Sequence, residues 1–277
     1  MSLIVEQLAG FRTNDPTLPR LHYDAMVDER TFGMLDFADL TSHPGTNPLE
    51  IGAQIRDMFL DGLPASPTTT VPFDGRGVVL DGATVNNNAK VIRLGNNWKL
   101  PASVRRFMLL FWARIRLTGY PQSGSGSGNF NALEHRQSSP SSIYGHALRS
   151  RVDRAAGTLT DLNYIANGRT VAMTVPDENL HQFAFEYQAV DGGQHALRAY
   201  RDKVLIATGS AGAFTAPYPT LDAAVPAVLG YNANDAGSLG SLRGTVYRIA
   251  LQGFDGAGLT VAEYLAADWD ENNARFA

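Results

Sequence analysis

Eight glutamates stand at positions 6, 29, 50, 134, 178, 186, 263 and 271. Hydrolysis of a glycosidic bond needs two carboxyl groups facing each other across that bond. A spacing of two puts a pair of carboxylates on one face of a strand, yet none of the eight glutamates has Asp two positions later. That arrangement is absent, and only carboxylates converging from separate strands could replace it. The six histidines (22, 43, 135, 146, 181, 195) never recur at i+2, i+3 or i+4, so a zinc site on one helix or strand is not expected. His181 shares the register of Phe183 and reads as a core or boundary residue. No serine sits in Gly-x-Ser-x-Gly, and SGSGSG (123–128) lacks the Lys-Ser/Thr of a phosphate loop.

Binding chemistry has better candidates. GYNANDAGS (230–238) groups the side-chain oxygens of Asn232, Asn234 and Asp235 beside the ring of Tyr231. Hard cations take such oxygens, and so do sugar hydroxyls. Asp153 ends an apolar strand pattern in a comparable loop position. A calcium ion there would use Asp153 and Asp235, and no other cofactor is expected. Asn and Asp are also ordinary turn residues. Tyr120, Tyr144 and Tyr218 lie near expected loops, whereas Tyr200 and Tyr247 fall inside strand patterns and read as structural.

Any such loops need a scaffold, and RRFMLLFWARIRL (105–117) names it. Phe107, Leu109, Phe111, Ala113, Ile115 and Leu117 alternate with Met108, Leu110, Trp112, Arg114 and Arg116. A period of two is a β-strand. Its first half is apolar on both faces and must be covered on both, as a central strand is; its Arg half emerges to solvent. Further strands are expected near 76–81, 89–94, 143–152, 158–165, 169–175, 180–190, 195–201, 203–208, 225–231 and 244–252, punctuated by Gly, Asn, Asp and Pro. Residues 121–142, with SGSGSG and SSPSS, read as a long polar loop. Asn47-Pro48-Leu49-Glu50 offers an N-cap, Pro at N1 and Glu at N3, and Ile51, Ile55, Met58 and Phe59 follow at helical spacing. That predicts an amphipathic helix over about 48–61. Thr260 and Glu263 form a capping box for a C-terminal helix.

Four stretches in this order resemble the concanavalin A-like, laminin-G-like jelly-roll superfamily: FDGRGVVLDG (73–82), RFMLLFWARIRL (106–117), LHQFAFEYQAVDGGQHALRAYRDKVLIATG (180–209) and GSLRGTVYRIALQGFDGAGLTVAEY (240–264). The resemblance implies an all-β, two-sheet antiparallel jelly-roll sandwich over 73–277. Residues 1–72 then form an N-terminal arm carrying the predicted helix. Relatives usually place Asp-Gly at the hairpin turn where this chain has Asp202-Lys203, and lysine is disfavoured in the left-handed backbone such a turn needs.

Composition bounds the rest. Net charge is −4, with a sequence pI near 5.8, so a nucleic-acid groove is not expected. Cysteine is absent, which excludes disulfides and Cys-ligated zinc. No apolar run approaches the ~20 residues of a membrane span, and MSLIVEQLAGFRTNDP lacks the pattern of a secretory signal. A jelly roll with an arm and no export signal resembles virion proteins of tailed bacteriophages. The expectation is a non-enzymatic structural protein of such a particle (tail, baseplate, fibre or capsid decoration), assembled in the host cytoplasm, with other virion proteins, copies of itself and bacterial surface glycan as partners. A free carbohydrate-binding lectin module is the alternative, and a glycoside hydrolase the third reading.

Overall fold

The computed structural model describes residues 24, 26–43, 45–59, 62–84, 89–101, 103–122, 124–137, 143–190, 194–209, 212–213, 226–231, 238–256 and 258–277. They build two stacked sheets. With strands numbered in chain order, the first sheet runs β1 (Thr31–Asp36), β16 (Arg243–Gly253), β5 (Arg106–Ile115), β10 (Leu180–Val190), β11 (Gln194–Arg201), β12 (Val204–Thr208); β3 (Val78–Asp81) also pairs with β16 and β13 (Gly212–Ala213) with β11. The second runs β2 (Ser66–Pro67), β4 (Val91–Arg93), β14 (Val228–Gly230), β6 (Ser127–Gln137), β7 (Ile143–Asp153), β8 (Thr158–Ala166), β9 (Arg169–Met173). β15 (Ser238–Ser241) joins β6 in parallel, and every other pairing is antiparallel. The protein is an all-β two-sheet sandwich with one described α-helix, α1 (Val261–Phe276). No described helix is long and apolar enough to cross a membrane.

The alternation in 105–117 does what it predicts. Phe107, Leu109, Phe111, Ala113 and Ile115 enter the core between the sheets, facing Leu133, Leu148 and Tyr164 from the other side. Met108, Leu110 and Trp112 enter a second core under α1, against Tyr264, Leu265 and Phe276. Burying each large apolar side chain contributes about 1.5–3 kcal/mol, so this strand anchors both layers. Arg114 and Arg116 are exposed. α1 starts at the expected capping box, with Thr260 Oγ1 accepting from Glu263 N.

Three expectations need correction. The helix expected over 48–61 does not form in its described residues, which run to 59. Leu49 bridges Val71 and Ile55 bridges Ala65 in antiparallel fashion, and Leu49 and Ile55 join the main core while Ile51 is exposed. The Asp57 carboxylate accepts from Met34 N, Phe59 N, Asn97 Nδ2 and Trp98 Nε1 at 2.8–2.9 Å. Tertiary partners thus satisfy this segment in extended form and override its local helix signal. The sheets and core therefore take in residues on both sides of position 72. The polar loop over 121–142 is interrupted by β6, eleven residues long, whose Phe130 and Leu133 are buried; the two Ser-rich tracts flank the strand rather than replace it. Finally, Asp202 and Lys203 both adopt positive φ, 51° and 71°, as a two-residue type I′ hairpin requires. Lys203 Nζ lies 3.7 Å from Asp270 and 5.2 Å from the Trp269 ring centre.

Candidate functional site

The expected loop-rim site is only partly visible. Asn232, Asn234 and Asp235 lie outside the described residues, and so do Tyr218 and the Tyr144 side chain. Tyr231 is half-buried just after β14. Asp153 Oδ1 accepts from Ala155 N and Ala156 N at 2.9 and 3.2 Å, so it caps its own turn. β6 separates β14 from β7. Asp153 pairs with Ser127 while Leu229 pairs with Leu133, which places Asp153 and Tyr231 roughly 13 Å apart along the strands and two strands apart across the sheet. Among the described residues no three His, Asp or Glu side chains group as metal ligands. Tyr120 is buried, accepts from Arg243 N, and burial pushes its phenol up to about 12.

The two buried glutamates are already engaged. Glu134 accepts from Arg149 Nη2 at 2.7 Å and Asn131 Nδ2 at 2.6 Å. Glu186 accepts from Arg106 Nε at 2.8 Å and Tyr200 OH at 2.6 Å, with Arg198 Nη1 at 3.3 Å. Burial first, then the bonded Glu186, pushes the Tyr200 phenol well above its ordinary value. Tyr200 is therefore a fixed donor. His181 bonds Asp202 and Asp177 at 2.7 and 3.0 Å at the edge of the core.

One concavity has binding chemistry. Residues Asp74, Gly75, Arg76, Arg114, Tyr247, Phe276 and Ala277 line an open cleft of about 360 Å3 at the corner of the first sheet. A β-bulge positions its floor. Val246 pairs with Ala113 and Arg248 with Trp112, so Tyr247 is the extra residue of β16. Bulges re-aim side chains, and here Val246 enters the main core while Tyr247 joins the layer under α1. Phe276 stacks on Tyr247 with ring centres 5.8 Å apart. The Arg114 guanidinium lies 5.9 Å from the centre of the Tyr247 ring, within cation–π range.

The wall is the turn before β3. Asp74 Oδ1 accepts from Arg76 N at 3.0 Å and Gly77 N at 2.7 Å, and its Oδ2 accepts from Tyr247 OH at 3.3 Å. Gly77 permits the approach: a Cβ there would lie 2.7 Å from Thr245 Cγ2 and Val246 O. Arg76 Nη1 donates to Ala277 O at 2.6 Å, tying the turn to the end of α1. The Tyr247 phenol is pushed up by burial and by Asp74, so it remains a donor. The exposure of Arg114 was readable from alternation. Tyr247, Asp74, Arg76 and Phe276 were not, because a bulge and long-range packing bring them together.

No protein-family model matches the sequence, and no curated protein does. Solved structures of similar fold include a Trypanosoma rangeli sialidase in complex with sialic acid, at 13% identity, 92% of this chain, 35% of that chain and TM-score 0.51. Others are the botulinum neurotoxin type G receptor binding domain (9%, 82% and 52%, 0.46) and the CBM40 of a Ruminococcus gnavus sialidase bound to α2,3-sialyllactose (12%, 60% and 83%, 0.38). The chain spans about a third of the sialidase's length. At these identities the likeness establishes the fold alone, a β-sandwich of lectin-like kind.

Proposed function

We propose that this chain is a non-catalytic carbohydrate-binding module that holds a sugar in the corner cleft. The observation that carries this reading is the cleft itself. It has a rim of polar side chains in Asp74, Arg76 and Arg114, set over a buried base of Tyr247 and Phe276. Sugars offer hydroxyls that both donate and accept, which a rim of carboxylate and guanidinium groups can meet, and pockets of this size suit small ligands. The lectin-like sandwich supports the reading. Glu134 and Glu186 are each bonded to arginine, which leaves neither poised as a glycosidase acid. Attachment to a phage particle rests on the sequence resemblance alone, and the solved structures of similar fold give it no support.

The test is a glycan array with the purified chain, followed by calorimetry on the best ligands with wild type and an Asp74→Ala/Arg76→Ala double variant. Binding by the wild type and at least about tenfold loss in the variant is the expected result. Equal binding by both would move the site elsewhere, and release of reducing ends would overturn the non-catalytic reading.

A further inference from the structure

We infer that the corner cleft takes an acidic sugar and that Arg114 selects it by pairing with a sugar carboxylate. The inference rests on the carbohydrate reading of the same cleft and adds the ligand's charge.

Arg114 differs from the arginines around it. Arg106 is bonded to Glu186, Arg248 to Asp24 and Asp36, and Arg116 to Glu178. Arg76 donates to main-chain oxygen. Among the described residues the guanidinium of Arg114 has no acceptor at all; its one contact of this kind is the Tyr247 ring. A ring face can hold a guanidinium in place while leaving its N–H groups open. Arg114 is thus a positioned, unneutralised fork in a cleft, on a protein whose net charge is −4.

The cleft's own carboxylate does not serve it. Asp74 spends its oxygens on Arg76 N, Gly77 N and the Tyr247 hydroxyl. Ala277, which also lines the cleft, gives its O to Arg76 and not to Arg114, so the matching anion is left to a ligand. One open fork fits one carboxylate, in bidentate geometry. A dianion such as a phosphate monoester would call for a second open cation, and Arg76, the other cation of the lining, is already tied to Ala277 O. It would also face the charge of Asp74. The remaining rim, a second lone pair of Asp74 Oδ2 and the Arg76 N–H groups not donated to Arg275 O and Ala277 O, suits the hydroxyls that an acidic sugar carries beside its carboxylate.

The experiment compares sialic acid- or hexuronic acid-terminated oligosaccharides with their carboxyl-reduced counterparts, in which –COO− becomes –CH2OH, and with sulfated and phosphorylated sugars. Wild type, Arg114→Gln and Arg114→Lys are titrated by calorimetry. Loss of one charged hydrogen-bonding pair weakens binding by tenfold or more. The wild type is therefore expected to bind the acid forms at least about tenfold more tightly than the reduced forms. Arg114→Gln should bind both forms equally and weakly, and Arg114→Lys should recover part of the difference. Equal wild-type binding of acid and reduced forms, lost in Asp74→Ala/Arg76→Ala, would overturn this inference and leave the carbohydrate reading standing. Preference for the sulfated or phosphorylated sugar would overturn it as well. Absence of binding to every sugar would overturn both.

Discussion

β5 carries an outward-facing arginine near each end, and the two have opposite fates. Arg106 bonds Glu186, which also holds Arg198 and the Tyr200 hydroxyl. Arg114, eight residues and roughly 26 Å along the strand, bonds none of the described residues and rests on Tyr247. Both sit on the outer face of one sheet, so strand position alone does not separate them. The difference is in what lies opposite. At the Arg106 end, β10 and β11 supply Glu186 and Arg198 in register. At the Arg114 end the neighbouring strand supplies Thr245, and no carboxylate answers. An arginine with a carboxylate opposite it is spent on the fold; one without is available to a ligand. On the same face, beside Trp112 on the neighbouring β16, Arg248 marks the extreme of commitment.

The largest effect should come from Arg248. It is fully buried under α1, with Asp24 and Asp36 at 2.6 and 2.9 Å and Asp268 at 3.4 Å. Burial raises the Asp24 carboxyl, and Arg248 outweighs burial and holds it low. Removing one partner of a buried pair costs about 3–5 kcal/mol, because the other charges stay buried. Arg248→Met should lower unfolding stability by that amount in a denaturant titration. A loss below about 1 kcal/mol would mean that the buried carboxylates protonate at little cost, and that commitment is not what fixes this arginine.

Glu186→Gln should cost less, about 1.5–3 kcal/mol. Hydrogen bonds to charged groups are worth that much, and the two arginines, each about a third exposed, regain water. The Tyr200 hydroxyl keeps an acceptor in the glutamine. If Glu186→Gln proves neutral, the contrast between the two ends of β5 is weaker than the geometry implies.

Much of this contrast was legible in the sequence, but unevenly. The alternation through 105–117 reads out the central strand, its double burial and the outward turn of Arg114, because a two-residue period is a local property. The capping box at Thr260 and Glu263 reads out α1 for the same reason. What failed was settled over long range. Ile51, Ile55 and Met58 repeat at helical spacing, yet Val71 and Ala65 claim Leu49 and Ile55 as strand partners. β6 hides between two Ser-rich tracts. The cleft was illegible because a bulge aims Tyr247, and the Asp74 turn and Phe276 lie about 200 residues apart in the chain.

A pH effect should be smaller still. His181 bonds Asp202 first and Asp177 second, and these partners raise it above its ordinary value against the opposing pull of burial. A histidine whose folded value is raised contributes stability fully below its unfolded value, near 6.5, and loses it as pH rises through the folded value. The melting temperature of wild type should exceed that of His181→Gln most at about pH 5.5, with the gap closing towards about pH 8.5. A gap that widens with pH would reverse the sign of the coupling.

The smallest expected effect is the one that sharpens the comparison most. Arg114→Ala removes an exposed guanidinium that pairs with no described carboxylate, so no buried charge is left behind. Exposed substitutions of this kind stay within about 0.5 kcal/mol. The lost stacking on Tyr247 can account for a few tenths, since long arginine stems cover apolar surface. The net charge would move from −4 by one further negative unit, too little to matter at physiological salt, where the screening length is about 8 Å. Arg114→Ala and Arg106→Ala should therefore separate in a denaturant titration. Arg106→Ala is the costlier, because it takes a partner from Glu186, whose side chain is only 1% exposed. Equal losses at the two positions would show that Arg114 has a structural partner after all, and the cleft would lose its free cation.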